Sequence, residues 1–189
     1  MEVCFILDGN MKLYEISDKL GYENETIDIS GFNGEIKKVK LLYFAKASLT
    51  SDILLSKLGM AKNVLIKKFS KNQYAQLSKV RAEKFDEFSR KQFRLSPKYD
   101  SKAGLGRKCK DNYLSVLVGS DQLWLPGNIA ADYYTLNFVP ETVNSIAYAT
   151  SFGQSSLPKN STKKAEVFLK KIKHIGVREE SGQKLVKEI

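Results

Sequence analysis

The stretch Leu114–Gly127, Leu-Ser-Val-Leu-Val-Gly-Ser-Asp-Gln-Leu-Trp-Leu-Pro-Gly, decides how the fold is read. Its first part (Leu114, Val116, Leu117, Val118) is an apolar run rich in β-branched residues and closed by Gly119. That is the pattern of a buried parallel strand. Gly119, Ser120, Asp121 and Gln122 follow, small and polar, and then the only tryptophan, Trp124. In open α/β sheets ligands bind just beyond the carboxyl ends of strands, so a polar cluster there is placed for chemistry. Gly119 lets the backbone turn sharply or approach a ligand closely. The same residues also fit a strand, a turn and a capping Ser or Asp before a helix. Local sequence leaves both readings open.

Downstream the pattern repeats. Asn128–Tyr134 reads as a loop, and Ser145–Tyr148 as the next strand. That strand ends in a second small, polar group, Ala149-Thr150-Ser151-Phe152-Gly153. Two successive strands ending in small hydroxylated residues line one edge of a cleft. Thr162–Lys173 is an amphipathic helix burying Ala165, Phe168, Leu169 and Ile172. His174–Val177 is a further strand that ends at Arg178, and Ser181–Ile189 begins another helix.

Upstream, Val3–Leu7 reads as a strand and Asp8-Gly9-Asn10 as a turn. Leu13, Tyr14, Ile16 and Leu20 recur at helical spacing, with Gly21 as the residue that ends the helix. Glu25–Ser30 is a second strand, and this β-α-β order predicts a Rossmann-like opening. Gly31–Gly34 reads as a turn; Leu41–Ala47 and Ile53–Leu58 read as helical runs, with Gly59 as a break. Residues 72–95 give the clearest helix, ended by Pro97. Its stripe of Tyr74, Leu77, Val80, Phe85, Phe88 and Leu95 is expected to be core. Ser101–Lys110, with Gly104 and Gly106, reads as a loop. Gly104-Leu105-Gly106 lacks the third glycine and the preceding strand of a dinucleotide fingerprint and is set aside.

A chain of 189 residues can form one domain with a sizeable core, and 42% hydrophobic with 28% charged residues is ordinary for a globular protein. No apolar run approaches the roughly 20 residues needed to span a bilayer. Glu2 and the missing basic lead-in argue against a secretory signal peptide. Cys4 and Cys109 have no metal-ligand spacing and read as reduced structural thiols, with one disulfide still open. The net charge is +10, and residues 57–110 hold sixteen Lys/Arg against four Asp/Glu, so that block carries +12 and the rest −2. A solvated helix face explains this first, and a surface that tolerates anionic lipid second. Nucleic acid ranks low, because no recognition module is spelled out.

Four ordered blocks carry a resemblance: Val118–Trp124, Tyr133–Phe138, Ile146–Gly153 and Val177–Gly182. Together with Arg81–Ser96 upstream they resemble the polysaccharide pyruvyl transferase family. The resemblance is specific from about Arg81 onward. Before that, the chain departs from the family: Leu20-Gly21-Tyr22 matches, but too few residues separate it from Gly9-Asn10. What the resemblance implies is transfer of the enolpyruvyl unit of phosphoenolpyruvate, as a ketal, onto sugar hydroxyls of a cell-surface or exopolysaccharide. It implies a glycan or lipid-linked sugar acceptor and no cofactor or metal. The expected fold is a Rossmann-like parallel sheet flanked by helices, the amino-terminal half of a GT-B-like two-lobed transferase. Residues 1–189 are then a single domain, truncated at the carboxyl end and, unless the first helix is merely shortened, at the amino end too, with a second lobe encoded separately. The expected location is the cytoplasm, at the inner face of an anionic membrane.

In the family the arginine matching Arg178 is associated with the donor, and a guanidinium grips phosphate or carboxylate in two-pronged fashion. The alternative is an arginine paired with Glu179 or Glu180. Asp121 is the candidate base; Gly119, Ser120, Gln122, Ser151 and Gly153 are candidate substrate contacts. Against these stands a purely structural role for Asp121 and Gln122 in a cap and turn. His174, the sole histidine, lies at the start of its strand, opposite the ligand end, and reads as structural. The family's general-acid histidine is expected further toward the carboxyl end. The alternative function is a non-catalytic sugar- or nucleotide-binding remnant of the same fold.

Overall fold

The computed structural model describes residues 2–6, 15, 17–47, 73–119 and 121–189. The Asp8-Gly9-Asn10 turn, Leu13, Tyr14, Ile16, the Ile53–Leu58 run and Ser120 lie outside the described residues. The chain divides into two compact units, Met1–Lys40 with Phe93–Ile189, and Leu41–Gln92.

The first unit is built on a five-stranded parallel sheet. Its strands are β1 (Glu2–Ile6), β2 (Asn24–Ile27), β3 (Tyr113–Gly119), β4 (Asn144–Thr150) and β5 (His174–Val177), in the spatial order β2-β1-β3-β4-β5. That order reverses direction between β1 and β3, as in doubly wound α/β folds, where ligands bind at the carboxyl ends of the strands. The stretch after β3 therefore stands at a topological switch point. Helices α1 (Asn33–Ala47), α2 (Gln73–Gln92), α3 (Lys102–Asn112), α4 (Pro126–Ala131), α5 (Lys159–Lys171) and α6 (Glu180–Glu188) accompany the strands. Gly21 takes φ +76° and closes a helical turn, its N–H donating to the Asp18 carbonyl. Only a glycine adopts that conformation without strain.

Several sequence expectations are corrected. Residues 101–110 are not a loop: Ser101 caps α3, its hydroxyl accepting from the Gly104 N–H at 3.1 Å. Gly106, read as a breaker, is a packing residue, because a Cβ there would lie 2.7 Å from the Phe138 carbonyl oxygen. Gly31–Gly34, read as a turn, belongs to a short 3-10 helix, Ser30–Phe32, and to the start of α1. Residues 128–134 are not all loop, since Pro126 opens α4, where its missing N–H costs nothing. Helix α2 stops at Gln92 rather than near Pro97, and Leu95 forms a parallel bridge to Thr26 of β2.

Trp124 is the centre of the sheet unit's core. Its ring lies 5.1 Å from Phe152 and 5.2 Å from Phe168, and all three are fully buried. Its indole N–H donates to the Tyr134 carbonyl at 3.0 Å, so the one polar atom of the ring is satisfied. Phe168 comes from α5, whose Ser161, Ala165 and Leu169 share the buried face. Trp124 also fixes the loop it belongs to. We expect Trp124→Ala to lower unfolding free energy by about 3–5 kcal/mol, the range for deleting a large buried aromatic. Urea denaturation of the two proteins checks this. Cys109 is free and buried, and burial pushes its thiol up to about 12, which leaves it inert at neutral pH.

In the second unit Leu77, Val80, Phe85 and Phe88 of the α2 stripe are not core; the Tyr74 side chain lies outside the described residues, and Leu95 is half-buried in the first unit. From Gln76 to Gln92 every residue except Ser89 is exposed, Leu77, Val80, Phe85 and Phe88 among them. A period of 3.6 residues shows that a helix has an apolar face, but not what covers it.

Candidate functional site

The candidate site lies where β3, β4 and β5 end side by side. Each tip is tied to the next through the backbone. Beyond β3, the Asp121 carbonyl accepts from the Ser151 N–H at 3.0 Å, and the Ser151 carbonyl accepts from the Trp124 N–H at 3.0 Å. Beyond β4, the Thr150 carbonyl accepts from the Arg178 N–H at 3.2 Å. The Glu179 carboxylate accepts the Phe152 N–H at 3.2 Å. These bonds extend the sheet's order past its last ladder pairs. They hold the loops after three strands in one rigid group.

The geometry of β4 is irregular at this point. Its register to β5 shifts between Ala147 and Thr150, and Ala149 takes φ +49°. A non-glycine residue in that region is strained, and such strain persists only where the surroundings over-determine it. The bulge lets Thr150–Gly153 turn toward the loop of Asp121. Gly153, at φ +65°, is pressed against Leu125 and the Gln122 side chain, and a Cβ there would lie 2.8 Å from Leu125 Cδ2.

Arg178 follows β5, and its guanidinium reaches two carboxylates. Nε is 3.6 Å from Glu179 Oε2, and an Nη atom is 4.0 Å from Asp121 Oδ1. Arg178 and Asp121 are 57 residues apart in sequence and meet only because the sheet sets β5 two strands from β3. The arginine is 43% and the aspartate 58% exposed, so the pair faces solvent. Exposed pairs of this kind contribute about 0–1 kcal/mol, which makes them exchangeable by a competing anion.

Of the sequence candidates, Asp121, Gln122, Ser151, Gly153 and Arg178 share this region. Ser151 is buried, and its hydroxyl accepts the Gly153 N–H at 2.9 Å, so it shapes the loop from within. Gly119 is buried against β4 rather than open to the site: a Cβ there would lie 1.9 Å from the Tyr148 carbonyl oxygen. A groove of about 450 Å³ runs between β5 and α6, bordered by Arg178, Glu179, Glu180, Gln183 and Lys187. Asp121, Gln122 and Ser151 do not line it. Sequence reading saw Glu179 only as a partner for Arg178. The structure adds its bond to Phe152 N–H, which makes it the clamp between the β4 and β5 tips. No local signal for that bond exists in the sequence, since Phe152 and Glu179 lie 27 residues apart. His174 opens β5, at the end remote from Arg178. Among the described residues no His, Cys, Asp or Glu cluster has the makings of a metal site.

With the sheet and its tips in place, the chain's kinship can be read. The family model described as polysaccharide pyruvyl transferase matches residues 19–189. The chain belongs to the polysaccharide pyruvyl transferase family. Neither the curated proteins nor the solved structures compared with it gave a match. The matched span holds four of the five strands and every residue of the candidate site. It includes the second unit as well. No described helix of this pyruvyl transferase family member is long and apolar enough to cross a membrane.

Proposed function

We propose that this protein transfers the pyruvyl unit of phosphoenolpyruvate, as a ketal, to two hydroxyls of a sugar in a cell-surface or exopolysaccharide. In this reading the sheet unit is the amino-terminal lobe of a GT-B-like transferase. The observation that supports it best is the approach of Arg178 to Asp121 across the tip of β4, in a chain of this family.

The chemistry asks for three things. The methylene carbon of the enolpyruvyl group must gain a proton, leaving C2 electron-poor. One sugar hydroxyl then adds to C2 and gives up its proton, and the second displaces phosphate, which leaves as inorganic phosphate. Charge builds on the departing phosphate, so a cation fixed beforehand lowers the barrier. Arg178 supplies that cation, and Asp121 is the base that takes the hydroxyl proton. Gln122 and the backbone near Gly153 offer hydrogen bonds to sugar hydroxyls. Because Asp121 and Glu179 hold the guanidinium in place, the incoming anion meets an oriented group and displaces only weak, exposed pairs. The proton donor to the methylene carbon has no assigned residue in this reading, and His174 stands at the wrong end of β5.

Two measurements test the proposal: calorimetric titration with phosphoenolpyruvate, and proton NMR of the ketal methyl group formed on a purified glycan. Asp121→Asn should keep phosphoenolpyruvate affinity within about threefold while cutting turnover by about a hundredfold or more, the scale of lost general-base catalysis. Failure of the parent protein to bind phosphoenolpyruvate would sink the reading. A second reading, a non-catalytic sugar-binding remnant, draws on the arginine's two carboxylate partners and the remote histidine. It predicts sugar binding with no ketal formed.

A further inference from the structure

We propose that α2 of the second unit is an amphipathic helix that lies on an anionic lipid surface. This inference stands apart from the transferase reading. On a helix that advances about 100° per residue, Leu77, Val80, Phe85 and Phe88 fall within one arc of roughly 140°. The same arc holds Arg81, Lys84 and Lys91 and no carboxylate. Glu87, which pairs with Lys84 at 3.4 Å and Lys91 at 2.9 Å, borders it. The far side carries the balanced pairs Lys79–Glu83 and Arg90–Asp86. All four apolar side chains are exposed, Leu77 by 63% and Phe85 by 60%. Leu41, Leu42 and Phe44, in the part of α1 that belongs to the same unit, are exposed too. Within Leu41–Gln92 there are eleven Lys/Arg against four Asp/Glu, a balance of +7.

Apolar and cationic residues interleaved on one helical face, with acids kept to the other, suit the boundary between acyl chains and anionic headgroups. Leu, Val and Phe enter the acyl boundary, while the long Arg and Lys stems reach back to the headgroups. A second copy of the chain fits worse, because pairing this face with itself would bring like charges together. A folded acidic partner offers carboxylates to the cations but no acyl layer to Leu77, Val80, Phe85 and Phe88, whereas an anionic bilayer offers both in one surface.

The test is co-sedimentation of the full chain with two kinds of vesicle, phosphatidylcholine alone and an equal mixture with phosphatidylglycerol. Binding to the mixed vesicles and not to phosphatidylcholine is expected, weakening as salt rises. Phe85→Gln with Phe88→Gln should weaken it by about tenfold or more, through lost apolar insertion, and leave phosphoenolpyruvate binding unchanged. Circular dichroism of the variant checks that the helix persists, which the exposed positions favour. A variant that has lost the helix is replaced by Arg81→Gln with Lys84→Gln, expected to bind the mixed vesicles several-fold less. No binding to mixed vesicles, or undiminished binding by a folded double variant, overturns the proposal. So does a concentration-dependent dimer that forms through this face without vesicle binding.

Discussion

Arg178→Ala is expected to weaken phosphoenolpyruvate binding by about a hundredfold or more, since a two-pronged, charge-assisted grip is lost with one side chain. The fold should survive, because the side chain is partly exposed and its pairs are weak. Its backbone N–H still reaches Thr150 in the variant. Arg178→Lys keeps the charge and loses the fork, so an intermediate loss of about tenfold is expected. Glu179→Gln makes the most informative companion. The amide oxygen can still accept the Phe152 N–H, yet the charge competing with the donor for the guanidinium is gone. Affinity should then hold or rise by a fewfold, with the sheet tips undisturbed. Calorimetric titration of the four proteins, with thermal unfolding as the control for folding, reads all of this. Equal affinity in Arg178→Ala and the parent would remove the arginine from the donor site. A large loss in Glu179→Gln would instead make the clamp, rather than the cation, the essential element.

What the sequence revealed and what it hid follow one physical division. Strands β3, β4 and β5 were legible because each is a short apolar run closed by glycine, small hydroxylated residues or arginine, signals that lie within a few positions of one another. The buried face of α5 was legible from period alone. Helix α3 was not, because Gly104 and Gly106 look like breakers. The reason for Gly106, the approach of the Phe138 carbonyl, is a contact made 32 residues away. Pro126 was a readable start signal for α4 that the loop reading passed over. The stripe on α2 was legible as a stripe. Its exposure was not, since periodicity records a difference between faces and not the presence of a neighbour. The convergence of Asp121 with Arg178 needed the strand order, and no single strand encodes its place in the sheet. The blocks flanking both residues, however, were enough to bring them forward as candidates together.

Gly119→Ala is expected to cost about 3–5 kcal/mol of stability, at the upper end of what single substitutions do. The added Cβ would lie 1.9 Å from the Tyr148 carbonyl oxygen and 3.0 Å from its carbonyl carbon. Both are backbone atoms of β4, which pairs with β3 at this very position, Gly119 against Tyr148. Relief requires the two strands to part, and with them the bonds that tie the Asp121 and Ser151 loops. The φ of +156° adds conformational strain for any side chain. Against a total stability of about 5–15 kcal/mol for a domain, such a loss is enough to leave much of the chain unfolded. Gly176→Ala on β5 is the internal control, because its nearest neighbour is 3.6 Å away and no strained φ applies. It should change stability by less than about 1 kcal/mol. Urea denaturation of the three proteins compares them directly. A Gly119→Ala protein as stable as the parent would mean that β3 and β4 do not approach as described, and the common site at their tips would go with them. A variant that folds at reduced stability but binds phosphoenolpyruvate normally would show that Gly119 serves the register of the sheet. The glycine of the Val118–Trp124 block would then be there for the neighbouring strand, and the chemistry would begin two residues later, at Asp121.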